Sequence, residues 1–231
     1  KTEAEKIERI HAELKEFIAM VLDQAPTAKF ICRKLYRAFV SRNITQEIED
    51  DIIVPLASTF RANYNLEETI TQLFQSQHFY DKDDSDNSDE IIGGLIKSPL
   101  DLTLQSLSIT DYPVPDAITD GRNHYLKFYY KGLGDRVLTA SGQDIFRPPS
   151  VAGFPPTYEA PDYDKFWFNT STIIPRYDLA NLLLDKNTLK ATFNISEFVR
   201  NNVSDPTNPE TLVSELASIF FPEDIDAARI N

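Results

Sequence analysis

Near the start of the chain, Ile7, Ile10, Leu14, Phe17, Ile18, Val21 and Leu22 return every three or four positions, with Glu, Lys and Arg between them. That period matches the α-helical turn and gives the segment one apolar and one charged face. Thr2 followed by Glu5 has the form of a capping box at its start. The same period recurs along most of the chain. Pro26 suits the first turn of a second helix running to about Ser41, with Phe30, Ile31, Leu35, Phe39 and Val40 as its stripe. A third helix is expected from about Thr45, with Glu47, Glu49, Asp50 and Asp51 near its positive end and Ile48, Ile52, Leu56 and Phe60 facing inward. Pro55 falls inside it, where the missing N–H should kink or split the helix.

Asn65 with Glu68 opens a fourth helix carrying Leu66, Ile70, Leu73 and Phe74. Ser98-Pro99 with Asp101 opens another, with Leu100, Leu104 and Leu107 inward, and Tyr112-Pro113-Val114-Pro115 ends it. The next, from about Thr119 to Ser141, carries Tyr125, Phe128, Tyr129, Leu133, Val137 and Leu138 and stops at Gly142. Helical patterning resumes at Ile173, Ile174 and Tyr177 to Leu184, with short helices at about 196–201, 208–221 and 223–229. No alternating strand pattern and no repeat of solenoid length interrupts this. The expected fold class is all-α, an irregular bundle of about seven to nine helices forming a single domain over 1–231.

Two stretches break the period. Asp81 to Glu90 reads DKDDSDNSDE, without one apolar residue, and 81–92 is expected to be a flexible acidic loop. Asp83, Asp86 and Asp89 are its calcium candidates, but the central glycine and the twelfth-position acid of an EF-hand loop are missing. A solvated loop is the better reading, and no metal site is assigned. The second stretch is 145–168. Prolines 148, 149, 155, 156 and 161 exclude regular structure, and Phe146, Phe154, Tyr158, Tyr163, Phe166 and Trp167 sit among them. An ordered loop is expected, laid across the helices. Its stiff backbone could hold aromatic faces for stacking on sugar rings or for docking an extended partner. Alternatively Phe146, Trp167 and Phe168 plug the helical core and the prolines stiffen a long connection. Arg147, Phe154, Tyr158, Tyr163 and Trp167 are the candidate binding residues, with Tyr158 and Tyr163 expected at the surface.

Charge narrows the partners. With 23 Lys+Arg against 36 Asp+Glu the net charge is -13, which repels phosphate backbones and anionic lipid. Nucleic acid is therefore not an expected partner, and the apolar runs are too short to insert across a membrane. The chain opens on Lys1 with no leader, which suggests a piece of a longer protein. Cys32 is the only cysteine, so an intramolecular disulfide and a Cys-rich metal site are excluded. Its place on an apolar helix side, beside Arg33 and Lys34, fits an inert core thiol better than a reactive one. The 7 glycines form neither nucleotide-binding fingerprint, and no cofactor is expected. Lys29, Arg33, Lys34, Arg37 and Arg42 make the second helix basic, best explained as an internal match to the acids of the third. His11, His78 and His124 stand in no paired motif; His11 falls on an exposed arc, the others at helix ends.

Three stretches in order carry a family resemblance. They are Ala28-Lys29-Phe30-Ile31-Cys32-Arg33-Lys34-Leu35-Tyr36 with Phe39-Val40, then Ile96-Lys97-Ser98-Pro99-Leu100-Asp101, then Gly142 to Pro155 with Trp167-Phe168-Asn169. Together they resemble the C-terminal half of the bacterial family catalogued as domain of unknown function 1800, in the phrasing of its Bacteroidetes-type members. Gly153-Phe154-Pro155 departs from the family's usual Gly-Trp-Pro, and the family's N-terminal half, with its early basic segment, has no counterpart here. The resemblance implies a helical fold, an exported protein of the periplasm or cell surface, and neighbouring genes of a sulfatase-like family. It implies no activity and no catalytic residues.

The function expected on these grounds is a non-catalytic binding or scaffolding domain for a protein or glycan partner, centred on Phe146 to Trp167. The alternative is a hydrolase-like enzyme completed by an N-terminal half. Acids, Arg147 and a histidine converging in a deep cleft would favour the enzyme; a shallow aromatic shelf with exposed Tyr158 and Tyr163 would favour binding.

Overall fold

The computed structural model describes residues 2–80, 94–185 and 193–221. Its contacts gather into two compact units, Lys1–Leu95 and Ile96–Asn231, within the span read from the sequence as one domain. Nine helices and no strand stand among the described residues, so the fold is all-α as expected. The acidic stretch 81–92, with Asp83, Asp86 and Asp89, and the helix expected at 223–229 lie outside the described residues.

In the first unit, α1 (Glu3–Asp23) starts at the Thr2–Glu5 capping box, with both reciprocal bonds made. None of its residues is buried, contrary to the inward face that its period suggests. Gln24 is extended and turns the chain into α2 (Ala25–Phe39), with Pro26 in the first turn. Ala28, Cys32, Tyr36 and Val40 form the buried edge here, one every four residues. Phe30 and Phe39, expected inside, are exposed. Ala28 and Cys32 are small enough to let α2 lie close against α3, and that contact decides which side faces in.

α3 covers 46–63 in three consecutive pieces: α-helical Gln46–Ile48, π-helical Glu49–Ile53 and α-helical Val54–Asn63. The break expected at Pro55 thus takes the form of a widened turn immediately before the proline. The extra residue moves the stripe: Ile48 is followed inward by Ile53, five residues on, and then by Leu56, Ala57 and Phe60, while Ile52 is only half-buried. Tyr64, left-handed at φ 55°, ends α3, and Asn65 caps α4 (Leu66–Phe74) by accepting from the Glu67 N–H. Leu73 completes this core. His78 lies inside as well: its Nε2 is 2.8 Å from the Tyr36 hydroxyl, and both side chains are buried. The Cys32 thiol is fully buried, and desolvation pushes it up to about 11, which keeps it protonated and inert.

In the second unit, α5 (Pro99–Ile109) is capped by Ser98, whose hydroxyl accepts from the Asp101 N–H. α6 begins as Arg122–Leu126 and continues as a π-helical stretch, Lys127–Thr139. Gly142 at φ 85° ends it, with Gln143 N–H reaching back to the Leu138 carbonyl at 2.8 Å. α7 (Ile173–Leu184) packs on α6, and Leu107, Tyr112, Phe128, Leu133, Val137 and Leu182 fill the space between them. The Tyr112 hydroxyl donates to the Leu183 carbonyl at 2.9 Å. α8 (Ile195–Asn202) and α9 (Pro209–Phe220) are capped by Asn194 and Asn208.

Candidate functional site

The proline-aromatic loop leaves α6 at Gly142 and reaches α7 through a chain of small closed turns. Arg147 N–H donates to the Asp144 carbonyl, Gly153 N–H to Ser150, and Thr157 N–H to Phe154, each at 3.0–3.1 Å. Gly153 sits at φ 100°, a conformation that side-chain-bearing residues rarely adopt, which suits glycine to the tight turn before Phe154. Short 3₁₀ turns at Pro155–Thr157 and Tyr163–Trp167 pack on each other. Long- and short-range bonds tie the loop to its unit. Asp164 accepts from the Ile96 N–H at 2.6 Å, and the Thr172 hydroxyl donates to the Trp167 carbonyl at 3.0 Å. Prolines limit backbone freedom along this stretch, and the backbone hydrogen bonds close its turns.

Each candidate side chain now has a place. Trp167 is 6 % exposed and forms the anchor, with the half-buried Phe154 ring 5.9 Å away. The plug expected from three aromatics is made by Trp167 alone: Phe168 is exposed and Phe146 stands 91 % exposed. Tyr158 is 44 % exposed, its hydroxyl 3.3 Å from that of Ser150. Tyr163 is half-buried, with φ at 38°. Arg147 projects outward, yet its Nε and Nη2 both hold Asp144 Oδ2, at 2.8 and 2.7 Å. Val151, which no sequence argument singled out, is fully exposed at the next turn of the loop. Apolarity and exposure together can be read only from the folded chain, since buried valines look identical in sequence.

The loop thus exposes Phe146, Val151 and Tyr158, while buried Trp167 packs against half-buried Phe154. Exposed apolar side chains of this kind offer area that contact with another molecule would take out of water. Arg147 is bonded to Asp144, while His78 belongs to the first unit and faces Tyr36. Among the described residues, the side-chain bonds of Arg147 go to Asp144 and not to a histidine. Nor do those residues include a group of three or more His, Cys, Asp or Glu placed to hold a metal ion.

Of the basic residues read on the second helix, Arg33 and Lys29 make the expected match to an acid of α3, whereas Arg42 donates to the Gly94 carbonyl and Lys34 lies over the Phe30 ring. Arg33 holds Glu49 with two bonds, Nε to Oε2 at 2.8 Å and Nη2 to Oε1 at 2.5 Å, and Lys29 lies 3.9 Å from the same carboxylate. That fork keeps Glu49 below the usual carboxylate range, chiefly through the hydrogen bonds. No described helix is long and apolar enough to cross a membrane. Neither a curated protein nor a solved structure matches the chain. The model of the DUF1800 family, described as a protein of unknown function, does match, over residues 2–230, and the chain belongs to that family.

Proposed function

We propose that this chain is a non-catalytic binding or scaffolding module of an exported bacterial protein, and that it holds a protein partner on the loop 145–168. The observation that carries the reading is Phe146, 91 % exposed on a backbone closed by hydrogen bonds and prolines. Held in water, such a side chain forgoes the roughly 1.5–3 kcal/mol that burial would return, and a partner's pocket recovers it. Val151 and Tyr158 are further exposed side chains of the same loop. A protein fits this loop better than a sugar, because Trp167, the best stacking platform in the loop, is turned inward. Export to the periplasm or cell surface rests on the family resemblance alone.

A photo-crosslinking residue at Val151, used in cells of the native host, tests the reading. One discrete protein adduct is expected, and Phe146→Ala should diminish it at least tenfold while the fold is retained. A glycan array run beside it is expected to stay blank. Adducts indifferent to Phe146→Ala, or glycan binding abolished by that variant, would overturn the protein-docking assignment.

A further inference from the structure

The second unit carries an open cavity of about 500 Å³ along α6, lined by Asn123, Leu126, Lys127, Tyr130 and Lys131. That volume lies within the roughly 300–1,000 Å³ range of small-molecule sites. The π-helical register of α6 brings its lining together. Phe128, Leu133 and Leu138 are buried at five-residue spacing along Lys127–Thr139, the step of the π-helical hydrogen bond. Lys127, Tyr130 and Lys131 then fall on the side left in solvent, with Tyr130 59 % exposed. Stretches of π-helix are rare and concentrate at functional sites.

Charge sets the kind of ligand. Residues 121–134 include Arg122, Lys127 and Lys131 and no Asp or Glu, in a chain of net charge -13. Lys131 is partly neutralised: its Nζ is 3.1 Å from Asp135 Oδ2 and 5.1 Å from the centre of the Tyr130 ring. Lys127, by contrast, has no ion-pair partner among the described residues, and the Asn123 amide has no hydrogen-bond partner among them. Leu126 and Tyr130 supply the apolar lining between these polar groups. We infer that this cavity binds a small organic oxyanion. Lys127 holds its charge, Asn123 donates beside it, and its apolar body lies on Leu126 and Tyr130. A lysine is a point charge without the fixed fork of an arginine, so a carboxylate and a phosphate ester are both suitable head groups. The site is separate from the loop 145–168 and needs no partner there.

An NMR titration of the whole chain reads binding from the amides of residues 123–131. Benzoate carries both charge and body, phenyl phosphate the same body with the other oxyanion, acetate the charge alone and benzyl alcohol the body alone. Benzoate or phenyl phosphate should shift those amides saturably, with a dissociation constant on the order of 1 mM for so few atoms. The tighter of the two identifies the head group. Acetate and benzyl alcohol should each bind at least ~tenfold more weakly. Lys127→Glu and Tyr130→Ala should each weaken binding roughly tenfold, with the thermal midpoint unchanged because both side chains are exposed. Wild-type affinity should also fall several-fold from about 0.02 to 0.3 M NaCl, which tests the charge on the unaltered chain. The inference is overturned if neither anion saturates by about 20 mM, or if benzyl alcohol binds as tightly as benzoate. It is overturned equally by an affinity that neither Lys127→Glu nor salt changes.

Discussion

The Arg33–Glu49 pair shows what one residue choice does in this chain. Glu49 is only 14 % exposed, and its carboxylate is held at both oxygens, so its charge is worth more than that of a surface acid. Because the folded carboxyl sits below its unfolded value of about 4.3, the pair's contribution is complete above that value and is lost as pH falls through the lowered folded one. Glu49→Gln should therefore cost about 1–2 kcal/mol at neutral pH, discounted for the partly exposed Arg33. Urea unfolding at pH 7 and again near pH 3 checks this: the gap between variant and wild type should close in acid, and a gap of the same size at both values would refute it. The contact itself spans sixteen positions, from α2 to the π-helical piece of α3. Sequence indicated that α2's bases match α3's acids; which acid was chosen depended on the turn that the π register widens.

At the scale of elements, the loop 145–168 and helix α1 reverse the usual relation between regularity and burial. The loop has only short 3₁₀ turns but owns a buried anchor, Trp167; the helix is regular from end to end and none of its residues is buried. Trp167→Ala should cost about 3–5 kcal/mol, the range for emptying a buried aromatic site, whereas Phe146→Ala should stay within about 0.5 kcal/mol. Thermal unfolding of the two variants side by side distinguishes them, and equal losses would mean that Phe146 is not the exposed side chain described above. The same comparison explains why aromatic content could not assign roles in the loop. Seven aromatics among five prolines look alike in sequence; which ring turns inward depends on Gly153, the two 3₁₀ turns and the Thr172 bond to the Trp167 carbonyl. Helix α3 makes the point for periodicity. A strict α period puts Ile52 inside, and one widened turn before Pro55 gives that place to Ile53.

For the whole molecule, the dominant global quantity is the net charge of -13. Exposed ion pairs such as Lys6–Glu3 and Arg136–Asp178 are worth little, so salt acts mainly by relieving self-repulsion. The thermal midpoint should rise by a few degrees from about 0.01 to 0.3 M NaCl, across which the screening length shrinks from ~30 Å to below 10 Å. Calorimetry over that series checks it, and a falling midpoint would show that local pairs outweigh the global field. By itself the sequence determined the class of fold, the caps at Thr2, Asn65 and Ser98, the stop at Gly142 and the family, because each rests on spacing within a few residues or on short motifs in order. The tertiary structure alone decided which face of each helix is wet. Burial is a relation between elements, and no local period can say how closely a neighbour packs: α2 is covered along Ala28 and Cys32, whereas no residue of α1 is buried among the described residues.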